Sequence, residues 1–267
     1  MIRAHAVTVR AGRRLLLDTV DLDAPTGSVT GIVGPNGSGK TTLIRALLRA
    51  VPIQEGRVEI DGQDVRHRSR RWIAQRVASV AQRLDPDPAL TVADEVALGG
   101  LAQVGPGRGD GVDPDERVAA ALDAVALTHR AGASLAALSG GELQRVGLAR
   151  AIAHGADHVL LDEPTNHLDL RHRLEVLELL PHIAPTVVVV LHDLEAAARV
   201  CDHLVILAAG RVVGSGPPAD VLRPALLDSV YDVHTTRRDD PDGDIHLTFR
   251  LPAPPAVPLA PLEGTTP

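Results

Sequence analysis

Residues 28–42 read SVTGIVGPNGSGKTT. The first half is apolar and partly β-branched. The second half carries Gly34, Gly37 and Gly39 and ends on Lys40, Thr41 and Thr42. Glycines loosen a strand or helix, and a buried lysine is costly unless something pairs with it. A packed core has no use for such a loop. Its spacing fits G-x-x-x-x-G-K-[ST], placed after a strand and before a helix. Across Gly34, Pro35, Asn36, Gly37, Ser38 and Gly39 the backbone N–H groups can turn inward as an anion nest. The helix expected from about Thr41 points its positive end at the same place. Lys40 can reach β- and γ-phosphates, and the Thr41 hydroxyl can ligate Mg²⁺.

Two further stretches extend this chemistry. DHVLLDEP (157–164) reads as a buried strand ending in Asp162 and Glu163. Ligands of open α/β sheets sit beyond the carboxyl ends of the strands, which brings these acids to the phosphate end. Adjacent strand residues point to opposite sides, so the two acids are expected to divide the work. Asp162 would hold the Mg²⁺ shell, and Glu163 would orient or deprotonate an attacking water. LSGGELQR (138–145) opens a helix, with Ser139 and Glu142 spaced as a capping box. Gly140 and Gly141 fall in its first turn, where glycine weakens a helix. Their bare N–H groups at a positive helix end form a second anion site. Two such sites far apart in sequence predict a sandwich, each nucleotide held between two copies of the chain.

The rest of the chain sets the frame. Short apolar runs alternate with helical patterns, which predicts βαβ units and a largely parallel sheet. Strands are expected at 28–34, 76–82, 157–164 and 186–193, and a pair over 203–217 turning at Ala209-Gly210. Strands near 2–9 and 15–23 are expected to be antiparallel. DPDERVAAALDAVAL (113–127) reads as a helix capped by Asp113, with Pro114 at its first position. It belongs to a helical insert over about 85–146 that interrupts a core of 1–84 and 147–235. Residues 236–267 read as a proline-rich tail with a disordered end. With only Trp72, Tyr231 and Phe249 as aromatics, the core must be Val, Leu, Ile and Ala. The formal charge of −7 argues against a nucleic-acid partner. One cysteine, Cys201, excludes an internal disulfide and suits a reducing compartment. The N-terminus lacks the apolar stretch of a signal peptide, and no segment approaches the roughly 20 apolar residues of a membrane span.

LSGGE, together with GPNGSGKT and LLDEPTNHLD, resembles the ATP-binding cassette (ABC) ATPases over about residues 2–235. The resemblance implies an α/β P-loop NTPase core with an antiparallel β subdomain and a helical insert. It implies ATP and Mg²⁺ as ligands and a head-to-tail dimer. The Lys40 loop of one copy would face Leu138, Ser139, Gly140, Gly141 and Glu142 of the other. Gln82 matches the glutamine that touches Mg²⁺ or water, Asp169 the loop at the dimer seam, and His192 the histidine that contacts the γ-phosphate. One departure stands out. Where the family usually stacks an aromatic on adenine, this chain has Ala11. Stacking contributes about 1–3 kcal/mol, so a five- to roughly hundredfold weaker affinity is expected unless Arg10 or Arg13 lays its guanidinium on the base.

LTVADEVALGGL, LDLRHRLEVLELL and GPPADVLRPALLDSVYDV are similar to importer ATPases for ferric siderophores, haem and cobalamin, with the zinc and manganese importers as near relatives. This implies a peripheral protein on the cytoplasmic face of the membrane. It would work with permease subunits and, indirectly, a substrate-binding protein. Two other classes compete. A soluble cassette ATPase acting on ribosomes or DNA would carry paired cassettes or long coiled coils. A one-site P-loop kinase or GTPase leaves LSGGE without a purpose.

Overall fold

The computed structural model describes residues 1–80, 87–103, 111–166 and 168–252. The chain opens with an antiparallel hairpin of β1 (Ile2–Ala11) and β2 (Arg14–Ala24), then crosses to β3 (Ser28–Val33). The phosphate-type loop follows, and α1 (Lys40–Leu47) starts at Lys40 itself. Next come β4 (Glu55–Ile60), β5 (Gln63–Asp64), α2 (Arg70–Ala74) and β6 (Val77–Val80). Three helices follow: α3 (Val92–Gly100), α4 (Pro114–Ala124) and α5 (Gly140–His154). The chain then alternates β7 (His158–Asp162), α6 (Leu170–Ile183), β8 (Thr186–Val190), α7 (Leu194–Val200) and β9 (His203–Ala208). It continues through β10 (Arg211–Gly216), α8 (Pro218–Val221), α9 (Pro224–Tyr231), β11 (His234–Asp239) and β12 (Ile245–Arg250).

The central sheet runs β10-β9-β3-β8-β7-β6. Its strands are parallel except β10, which folds back on β9. A second, antiparallel sheet has the order β2-β1-β4-β5. Strands covered on both faces carry near-continuous apolar runs, as Val187–Val190 in β8 do. The pleat sorts them between two cores. Ile32, Val188, Val190, Val205 and Leu207 meet Leu43, Ile44 and Leu47 of α1 and the antiparallel sheet. Val33, Val187, Val189, Leu204 and Ile206 face the other way, in the core that also contains Val146, Leu148 and Ala149 of α5. Each such side chain contributes about 1.5–3 kcal/mol on burial. Helix α1 is therefore covered on two sides, and the loop that precedes it rests on a fixed base.

Helices α3, α4 and α5 pack on one another. A Cβ at Gly99 would lie 2.2 Å from the Arg150 carbonyl, so glycine there lets α3 and α5 touch. Arg150 Nη1 donates to the buried Glu95 carboxylate at 2.6 Å. Helix α4 ends earlier than its sequence pattern, because Ala126 takes a left-handed φ of 54°. The strand expected at 76–82 is seen as Val77–Val80, and Ala81 and Gln82 lie outside the described residues.

The C-terminal reading needs correction. Residues 234–250, mostly assigned above to a tail, form the antiparallel pair β11–β12. Asp240 Oδ1 closes its turn by accepting from the Asp242 and Asp244 amides at 3.1 and 2.9 Å. Short side chains and turn chemistry outweigh the proline content here. Among the described residues, no helix is long and apolar enough to cross a membrane.

Candidate active site

The loop after β3 bends through left-handed glycines: φ is 147° at Gly34, 77° at Gly37 and 108° at Gly39. Two of these are also needed for space. A Cβ at Gly34 would sit 2.0 Å from the Leu207 carbonyl oxygen, and one at Gly39 would meet Leu17 and Leu16 within 3 Å. A Cβ at Gly37 would meet nothing within 4 Å, so that side of the loop is open. Lys40 is only 5 % exposed. Its Nζ donates to the carbonyls of Gly34 (2.8 Å) and Pro35 (3.1 Å). Burial pulls its pKa down, opposed by the Glu163 and Asp162 carboxylates.

An open cleft of about 450 Å³ lies against this loop. Asn36, Gly37, Gly39, Lys40, Thr41 and Thr42 form one side, and Glu163 reaches it from β7. The remaining wall differs from the sequence expectation. Arg14, Leu15 and Leu16 at the start of β2 line it, whereas Ala11, Arg10 and Arg13 do not. Gly12 turns the hairpin at φ 58°, leaving Ala11 exposed at the bend.

Thr41 Oγ1 donates to Asp162 Oδ1 at 3.3 Å. Burial raises the Asp162 pKa, and the Thr41 bond and nearby Arg45 and Lys40 oppose that rise. A hydroxyl beside a carboxylate is the hard-oxygen donor set that Mg²⁺ takes together with phosphate oxygens. Glu163 is not the next residue of a regular strand. β7 ends at Asp162, and Glu163 has a left-handed φ of 56°, so a backbone kink rather than strand pleating separates the two acids. Non-glycine residues held in this region are strained and cluster at functional sites. The Glu163 carboxylate is engaged at both oxygens, by His192 Nε2 and by Asn166 Nδ2. His192 follows β8 and is 39 % exposed, so this acid–imidazole pair has one wet edge.

Ser139 and Glu142 form the reciprocal capping box at the start of α5. Glu142 also accepts from Arg130 Nε at 2.9 Å. The Ser139 backbone N–H bond, helped by Arg130 and the Ser139 hydroxyl, holds the Glu142 carboxyl at about 2 rather than the usual 4.5. A depressed carboxyl pKa adds stability above the unfolded value and loses it as pH falls through the folded one. Glu142→Gln is therefore expected to lower unfolding stability by about 1 kcal/mol near neutral pH. That deficit should shrink below pH 4.5 and vanish toward pH 2, as read by thermal melts of both proteins across that range. Ser139 and Gly140 are exposed, and this helix start is not among the residues lining the cleft. Asp169 N-caps α6 through the His172 amide at 2.9 Å.

The structure thus brings Lys40, Thr41 and Glu163 to one cleft, with Asp162 hydrogen-bonded to Thr41 and His192 to Glu163. It places Ser139, Gly140 and Gly141 elsewhere, and Gln82 lies outside the described residues. Sequence reasoning missed Asn166, whose signal is its three-residue spacing from Glu163 within one turn, and the Arg14–Leu16 wall.

Residues 17–166 match the ABC transporter family model. The chain belongs to the ABC transporter family. Its relatives include the hemin import ATP-binding protein of Pseudomonas fluorescens Pf0-1. That protein is 40 % identical over 91 % of this chain and 96 % of its own length. The ferric enterobactin transport ATP-binding protein of Escherichia coli K12 is 33 % identical, over 94 % of each chain. A dimeric post-hydrolysis ATP-binding cassette bound to ADP and phosphate superposes with a TM-score of 0.71. It is 27 % identical, covering 82 % of this chain and 99 % of that one. This ABC protein is an ATPase with the cassette fold.

Proposed function

We propose that this ABC ATPase powers uptake of an iron complex, a ferric siderophore or haem, or of cobalamin, through a partner permease at the cytoplasmic face of the membrane. The observation that supports the cargo is the pair of relatives named for hemin import and ferric enterobactin transport, each aligned over more than nine-tenths of this chain. The observation that supports the chemistry is Glu163, kinked out of β7 into the nucleotide cleft and held by His192 and Asn166.

In this reading the triphosphate enters the nest of residues 34–39 and draws Lys40 from the loop carbonyls onto the β- and γ-phosphates. Arg14, Leu15 and Leu16 take the base against the cleft wall. Thr41 and Asp162, with Gln82, would hold Mg²⁺, which neutralises charge on the phosphate oxygens. Glu163 accepts a proton from the attacking water or orients it. His192, hydrogen-bonded to Glu163, contacts the γ-phosphate. The open helix start at Ser139, Gly140 and Gly141 closes the site from a second, head-to-tail copy, with Asp169 at the seam. Closure drives the permease between its outward and inward states, and hydrolysis resets it.

Reconstitution with the permease encoded beside this chain tests the cargo. A siderophore-, haem- or cobalamin-loaded binding protein should stimulate ATP turnover. Stimulation only by a zinc- or manganese-loaded binding protein would transfer the protein to that importer group.

A further inference from the structure

The segment from α8 to β12 takes no part in the chemistry above, yet it is fastened to the site from two sides. Strand β11 is tied to the helices before it. Arg237 Nη1 donates to the carbonyls of Ala219 (2.6 Å) and Leu222 (3.2 Å), and the Thr235 amide donates to Asp228 at 2.6 Å. Strand β12 then lies against α7. Its Leu247 amide donates to Glu195 Oε1 at 2.7 Å. The Leu247 side chain is 8 % exposed and shares a core with Leu191, Leu194 and Ala197. Glu195 is the second residue of α7 and lies three residues after His192. Asp193, between them, caps the same helix by accepting from the amides of Glu195 and Ala196. On the other side, the Tyr231 hydroxyl at the end of α9 interacts with the backbone of Gly34, where the phosphate loop begins.

We infer that the β11–β12 hairpin positions the His192 switch, with Glu195 as the positioning residue that carries the constraint from Leu247 to the first turn of α7. The inference rests on the roles proposed for His192 and Glu163. Backbone amides orient a carboxylate well because they are themselves fixed, here by the β11–β12 ladder and the buried Leu247. With Glu195 anchored, the start of α7 cannot rotate, and the imidazole that precedes it keeps its line to Glu163. Without the anchor, Asp193 still caps the helix, but the helix loses its outer reference point. Small displacements of groups beside the reacting atoms reduce rate strongly.

The side chain of Glu195 is 48 % exposed, so shortening it leaves the core intact. In the full chain, Glu195→Ala should lower basal ATPase kcat about tenfold while the ATP Kd stays within about twofold. Glu195→Gln keeps the acceptor oxygen and should retain most of the rate. The His192 imidazole signals in a nitrogen-proton correlation spectrum should move in the alanine variant and hold still in the glutamine variant. Unchanged kcat and unchanged His192 signals in Glu195→Ala would overturn the inference. So would a glutamine variant as slow as the alanine one, because charge rather than the Leu247 bond would then be responsible. Glu163→Gln separates the two levels: if it hydrolyses normally, the site reading fails. If it is dead while Glu195→Ala is normal, only the hairpin's role falls.

Discussion

Glu163→Gln should bind ATP, close on it and fail to split it. The carboxylate sits 8 % exposed at the cleft, with one oxygen on His192 and the other on Asn166. Glutamine has nearly the same shape, so the fold and the Asn166 side of the turn are preserved. What disappears is the proton acceptor, and a positioned general base contributes roughly 10²–10⁴-fold to rate. A fall in single-turnover phosphate release of about 10²-fold or more is expected. The same change removes a negative charge from beside Asp162, whose pKa Glu163 helps to raise, and from the path of an anionic ligand. Binding of ATP should tighten as hydrolysis stops. On a sizing column with ATP, the variant should run as a stable dimer where the parent protein does not. A variant that still turns over within about tenfold of the parent would remove Glu163 from the chemistry.

Gly140→Asp should leave the single chain as stable as before and abolish its activity. Nothing lies within 4 Å of a Cβ built at Gly140, so the lone molecule offers no steric reason for glycine there. Locally the change even favours the helix: glycine is the poorer helix former by several tenths of a kcal/mol, and an acid in the first turn suits the helix dipole. A triphosphate delivered by a second copy would meet an added like charge and a side chain where it needs bare N–H groups. Turnover is expected to fall about 10²-fold or more, with no loss of melting temperature. Mixing Gly140→Asp with Lys40→Ala sharpens the test. Each is inactive alone, but the mixed dimer rebuilds one intact site, and roughly a quarter of the activity should return. No recovery, or full activity of Gly140→Asp by itself, would reduce the protein to an ordinary one-site enzyme.

Legibility in the sequence followed the range of the interactions. The loop from Gly34 to Thr42 could be read because its function is backbone shape, and glycine spacing encodes backbone shape directly. The capping box at Ser139 and Glu142 is likewise a contact between near neighbours, and it appears as spaced. That Asp162 and Glu163 turn to different partners could be anticipated, but not its cause, since a left-handed residue at Glu163 has no composition signal. The Arg14–Leu16 wall depends on how one hairpin docks beside the loop, which no local pattern records. The β11–β12 strands were hidden because they are mostly exposed and polar. Leu247 is the buried residue of the pair, with Ile245 packed against the same core, and Pro241 in the turn and the prolines from Pro252 onward made the stretch look like a linker.

The central sheet is lined by a separate interior on each face, with alternate residues of β8 and β9 assigned to one or the other. It works as a partition between two rooms. In the proposed cycle, a shift of the helices behind one wall can reach a neighbouring subunit without repacking the room that holds α1 and the loop before it.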